Sequence, residues 1–188
     1  MKITLKKHPE LKPANELLKI FPKAIIAGGV ARDLINGKGF KSVDIFIFAR
    51  TDVELAKISF EIANLVIDEK PSFDENYYMA NSLIRIGIAN LDICLHTVKF
   101  GNAEELVSTF DMILSQAWLE PTNDGFEVKA TDLFHHFNKR KILGFYANVS
   151  RGSDHISRIR EKYPDYLPLS LVQPATGDGF DDMPFFKP

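Results

Sequence analysis

Two aspartates stand where an acid is costly to keep. Asp44 interrupts the apolar run from Val43 to Phe48, and Asp92 lies within Leu91-Asp92-Ile93-Cys94-Leu95. A carboxylate among apolar neighbours has to be paired, hydrogen-bonded or bound to a cation. On adjacent strands, two such acids could bridge cations roughly 3.5–4 Å apart, as metal-assisted phosphoryl transfer requires. Asp44 and Asp92 are therefore the candidate catalytic residues and the candidate ligands for Mg²⁺ or Mn²⁺. Upstream, Gly28-Gly29-Val30-Ala31-Arg32-Asp33 joins an apolar strand to a helix. Paired glycines let the backbone approach an anion closely, and the free N–H groups at such a turn point outward to meet it. Arg32 could add a forked donor to a phosphate, or pair with Asp33 or a neighbouring strand.

Other side chains carry weaker signals. His135-His136 are adjacent on a helix, point in different directions and have no i, i+4 ligand partner, so they read as surface histidines. His96 alternates along its strand with Asp92 and Cys94, which puts all three on one side. It could serve as a proton shuttle or substrate donor, but an ordinary strand histidine is the simpler reading. Asp111 reads as a helix-end cap. Lys139-Arg140-Lys141, Arg151, Arg158, Arg160 and Lys162 read as a solvated face, or as a basic surface for a nucleic-acid strand or a triphosphate.

The elements that must position these groups follow from periodicity and punctuation. A helix over residues 13–21 is closed by Pro22. Lys23 to Ala27 is a strand, the glycine turn follows, and Val30 to Ile35 is a helix ending at Asn36-Gly37. Val43 to Phe48 reads as a buried strand, and residues 52–66 as a helix behind a Thr51/Asp52 cap. Ser82 to Ile88 and Asn90 to Thr97 form a hairpin around Ala89-Asn90. A helix over 102–110 has an Asn102 cap and acids in its first turn. A second hairpin pairs Met112 to Leu119 with Phe126 to Ala130 across a Pro121-to-Gly125 turn. Thr131 to Lys141 and a charged stretch around 153–163 complete the helices. The pattern predicts an α/β (α+β) fold: a mixed, largely antiparallel sheet of about five strands, with helices mainly on one face. Residues 1–145 form the head, and 146–188 a short C-terminal appendage of helix and Pro/Gly/Phe-rich tail.

The chain has 188 residues, 45% of them apolar and 26% charged, with a formal charge of −2. That balance suits a soluble globule and excludes a protein that coats nucleic acid by bulk positive charge. The single cysteine, Cys94, allows no internal disulfide and fits a reducing cytoplasm. No long apolar run follows the basic start, so neither a signal peptide nor a membrane contact is expected.

The stretch from Ile25 to Phe46 resembles the head of the bacterial-type CCA-adding enzymes and poly(A) polymerases, nucleotidyltransferases of the polymerase-β superfamily. Their pattern is Gly-Gly-x-x-Arg-Asp, a short helix, then Asp-x-Asp on a strand. Counted from the first glycine, the two aspartates fall on Ser42 and Asp44, with a frequent lysine at Lys41. If Asp44 is instead the first aspartate, the second falls on Phe46, so one acid of the pair is missing in either register. Leu91-Asp92-Ile93 is similar to the family's later acidic strand, and Phe110-Asp111-Met112-Ile113-Leu114-Ser115-Gln116-Ala117-Trp118 resembles its Arg-Arg-Asp-Phe-Thr-Ile-Asn-Ala-Leu segment. Thr109-Phe110 replaces the paired arginines, and no long helical body follows.

The resemblance covers about residues 24 to 145. It implies a nucleotide pocket of Gly28, Gly29, Arg32, Asp33, Lys41, Ser42 and Asp111, with a nucleoside triphosphate as substrate. It implies transfer of a nucleotidyl group to an RNA end or another hydroxyl. The missing first carboxylate implies the alternative, a degenerate fold that binds a nucleotide, an RNA or a protein. A tail carrying Phe180, Phe185 and Phe186 among Asp178, Asp181 and Asp182 would suit a protein partner. A toxin or defence-related nucleotidyltransferase acting on transfer RNA is the third reading.

Overall fold

The computed structural model describes residues 1–65, 82–88, 91–146 and 153–171. The chain opens with strand β1 (Lys2–Thr4) and helix α1 (Lys12–Ile20), then strand β2 (Ala24–Ala27) and helix α2 (Gly29–Ile35). Strand β3 (Ser42–Phe48), helix α3 (Asp52–Leu65) and strands β4 (Ser82–Ile88) and β5 (Leu91–Val98) follow. Helix α4 (Ala103–Ser108) leads to strands β6 (Ala117–Thr122) and β7 (Gly125–Ala130) and helix α5 (Asp132–Lys139). Strand β8 (Ile142–Tyr146), helix α6 (Ser153–Lys162) and strand β9 (Leu167–Leu171) end the described chain.

Seven strands form one sheet in the order β1-β7-β6-β2-β3-β5-β4, and β8 and β9 pair separately in parallel. Every pairing in the large sheet is antiparallel except β3 with β5. The class expected from sequence holds, and β1 lengthens the sheet at one edge. Only glycine serves at position 125, where φ is +151° and a Cβ would lie 2.2 Å from the Ile3 carbonyl oxygen of β1.

The sheet has two unequal faces. Val43, Ile45 and Ile47 of β3 point into the main core, which also takes residues of α1, α2, α3, α5 and α6. Ala27 and Phe46 point the other way, into a smaller cluster with Phe110, Trp118 and the α4 residues Leu106 and Val107. The period-2 alternation of β3 thus sends its aliphatic residues to the core and Ser42, Asp44 and Phe46 to the opposite side.

The expected strand from Met112 to Leu119 is a correction. Met112 makes only an isolated bridge with Phe145, Ile113–Ser115 is a 3₁₀ turn, and the strand begins at Ala117. An apolar run reads as a strand, but here Met112, Ile113 and Leu114 are all buried at once. A strand would send alternate residues to opposite faces, whereas a tight turn wedges all three into the core. The two caps expected from sequence do form: Asn102 Oδ1 accepts from Glu105 N at 2.9 Å, and Thr51 Oγ1 from Glu54 N at 3.1 Å. The turn at Ala89-Asn90, Arg151 and the tail from 172 onward lie outside the described residues.

Ile45 is fully buried at the centre of the sheet. Ile45→Ala is expected to cost about 2–5 kcal/mol through lost transfer energy and a residual cavity. Urea unfolding will read this as a lower midpoint with an unchanged slope.

Candidate nucleotide-binding cleft

The β2–α2 connection turns at Gly28, whose φ of +83° is disfavoured for any residue with a Cβ. The Gly28 N–H donates to the Ala117 carbonyl at 2.9 Å, which ties the turn to β6. A cleft of about 680 Å³ opens here. Gly28, Gly29, Arg32, Asp33, Lys41, Ser42, Asp44 and Asp111 all line it, joined by Phe46 and Phe110 and by Arg158 and Lys162 of α6. Eight of the nine residues expected at the site therefore meet in one place. Asp92 does not line the cleft. It is exposed and lies beside Ser42 across the parallel β3–β5 pairing, with its N–H donating to the Lys41 carbonyl at 3.1 Å.

Arg32 and Asp33 are both buried. Arg32 Nε donates to Asp33 Oδ1 at 2.9 Å, and its Nη1 reaches Ser115 Oγ at 3.4 Å. Of the two roles open to Arg32 from sequence, pairing with Asp33 is the one its geometry displays. Asp33 also accepts the Tyr163 hydroxyl at 2.8 Å and pairs with Lys162. A buried carboxylate is tolerable only with partners of this kind. Arg32 remains close to the turn: Nη2 would lie 3.4 Å from a Cβ on Gly29. A Cβ at 29 would stand in van der Waals contact with the guanidinium.

Asp44 is about one-third exposed, and its Oδ1 is 2.9 Å from Nε2 of the buried His96. An ionised carboxylate only accepts, so Nε2 carries the hydrogen. The imidazole stacks on Phe46, with ring centroids 4.5 Å apart and planes inclined at 11°. The β3–β5 register explains the pair. Asp44 is opposite Cys94 and Phe46 is opposite His96, which makes Asp44 and His96 diagonal neighbours on one face. The alternation of Asp92, Cys94 and His96 was readable in the sequence, but the partner was not, because it depends on how two distant strands align.

These residues do not fit a two-cation centre. Ser42 carries no charge, one oxygen of Asp44 is held by His96, and Asp92 lies outside the cleft. Among the described residues no group of three His, Cys, Asp or Glu side chains could hold a metal ion. Such a centre needs several anionic oxygens converging on the ions.

Sequence reasoning missed Tyr163 as a site residue. The readable signal was Ile156, Ile159 and Tyr163, apolar residues at helical spacing along and just past the charged helix α6. Arg158 and Lys162 of the expected basic surface do reach the cleft, while Lys141 pairs with Asp165 at 2.6 Å. His135 and His136 do not line it.

No known family matches the sequence, and no curated protein matches it. Solved structures do match. A CCA-adding enzyme in complex with ATP superposes with a TM-score of 0.59 at 15% identity, over 90% of this chain and 43% of that one. The Thermotoga maritima CCA-adding enzyme complexed with tRNA-CCA gives 0.55 at 15% identity, over the same shares. A tRNA-processing enzyme in an apo form gives 0.54 at 15% identity, over 77% of this chain and 38% of that one. The likeness shows the fold: the chain has the architecture of a nucleotidyltransferase head. It spans about two-fifths of the length of these structures. No helix of the described residues is long and apolar enough to cross a membrane.

Burial, and then the charge of Asp33, push the Tyr163 phenol well above its usual value, with Arg32 opposing. Because the folded value is raised, the neutral phenol's contribution is complete below pH about 10 and is lost as pH rises above it. Tyr163→Phe is expected to lose about 1.5–3 kcal/mol at neutral pH, the range for a hydrogen bond to a charged acceptor. Its stability should also fall less steeply above pH about 10, as urea titrations across that range will show.

Proposed function

We propose that this chain binds a nucleoside triphosphate in the β2–α2 cleft and works as a nucleotide-binding module built on a nucleotidyltransferase head. The observation that carries this reading is the convergence of the Gly28-Gly29 turn with Lys41, Arg158 and Lys162 on one cleft. Glycine permits close approach of the backbone, and the cations supply charge-assisted contacts to phosphate oxygens. Among the described residues neither Lys41 nor Arg158 has a carboxylate partner, so both are available to a ligand. Phe46 and Phe110 give the cleft an apolar wall suited to the nucleoside part. That neighbours of this fold are described in complex with ATP and with transfer RNA supports a nucleotide as ligand and an RNA as a second partner.

A second reading keeps the transfer of a nucleotidyl group to an RNA end, with Asp44 and Asp92 as its acids. It is favoured by the partial exposure of Asp44 within the cleft. Ser42 favours the binding module, because a serine supplies no anionic bridge between cations.

Titration calorimetry with ATP and CTP tests the binding claim. Arg158→Ala is expected to weaken binding about tenfold, the loss of roughly 1.4 kcal/mol that one charge-assisted contact contributes. Incubation with each labelled triphosphate, Mg²⁺ or Mn²⁺ and total RNA separates the two readings. A binding module leaves the RNA unlabelled, and Ser42→Asp creates labelling that the parent lacks. Labelling by the parent that disappears in Asp44→Ala would establish the transferase instead.

A further inference from the structure

We infer that the cleft takes its nucleotide as the free polyanion rather than as a metal chelate, with protein cations answering the phosphate charge. The inference rests on the nucleotide-binding reading above and adds the chemical form of the ligand.

The charges on the cleft wall support it. Among the described residues four cationic side chains line it, Arg32, Lys41, Arg158 and Lys162, against three carboxylates, Asp33, Asp44 and Asp111. Asp33 is shared by Arg32 and Lys162, so its charge is answered twice within the wall. A carboxylate at 42 would bring the count to parity. Serine at that position leaves an excess of positive charge facing a site suited to phosphate, and confined charges act strongly across a partly desolvated cleft.

The Asp44–His96 pair points the same way. A bare carboxylate beside a triphosphate repels it and calls for an intervening cation. Here the buried imidazole donates to Asp44 Oδ1 at 2.9 Å, and its stacking on Phe46 fixes the ring in that orientation. One oxygen is thereby withdrawn from metal ligation, and the anion is partly answered by a donor that cannot leave. His96 is a positioning residue in this account, since it is buried behind Asp44 and does not line the cleft.

The test is calorimetry of the full chain with ATP, in EDTA and in excess Mg²⁺. The expected result is binding in EDTA that weakens about tenfold in excess Mg²⁺, which ties up the free polyanion as its chelate. Binding in Mg²⁺ that equals or exceeds binding in EDTA would overturn the inference while leaving the nucleotide reading intact. Absence of binding in both media would overturn the nucleotide reading itself. Ser42→Asp supplies the complementary arm at an exposed position that should not disturb folding. It is expected to weaken ATP about tenfold in EDTA and to regain affinity with Mg²⁺, because the added carboxylate restores the need for a cation. A variant whose two affinities match those of the parent would contradict the charge argument.

Discussion

The buried carboxylate of Asp33 is the interaction on which the rest of the site depends. It sits one residue after Arg32 in α2, in a position where an isolated charge would be untenable. Its partners are Arg32 beside it and, from a distant part of the chain, Lys162 and Tyr163, 129 and 130 residues later. This one group holds α6 against the glycine turn, and Arg158 and Lys162 are carried to the cleft with it. Tyr166 extends the same clamp, its hydroxyl reaching the side-chain oxygens of Asn36 at 3.1 Å and Asn138 at 2.8 Å. Breaking a buried pair of this kind leaves an uncompensated charge, so the helix and the cleft should stand or fall together.

The parallel register of β3 with β5 is the second constraint. It puts Ser42, Asp44 and Phe46 on the same face as Asp92, Cys94 and His96, with Val43, Ile45, Ile47, Ile93 and Leu95 buried on the other side. On that face Ser42 carries no charge, and His96 is bonded to the one carboxylate of β3, Asp44.

Much of the fold was legible in the sequence because local signals agreed with the global arrangement. The Gly28-Gly29 turn, the alternation in β3, the Asn102 and Thr51 caps and the β6–β7 turn at Asn123-Asp124 all encode their own geometry. The cleft's membership was readable as well, apart from Asp92, because most of its residues lie in one contiguous stretch from Gly28 to Asp44. Three things were not legible, each for a non-local reason. The Met112–Ser115 turn depends on burial from every side, which an apolar run cannot signal. The Asp44–His96 pair depends on inter-strand register, and the Tyr163–Asp33 bond on where a charged helix docks.

The central claim is that the β2–α2 cleft is the nucleotide site. It is tested most directly by following backbone amide resonances of the isotope-labelled protein as ATP is added. The account predicts that the largest shifts fall on Gly28, Gly29, Lys41 and Ser42, with Arg158 following them. Saturable shifts that leave those amides unmoved and cluster elsewhere on the surface would contradict it.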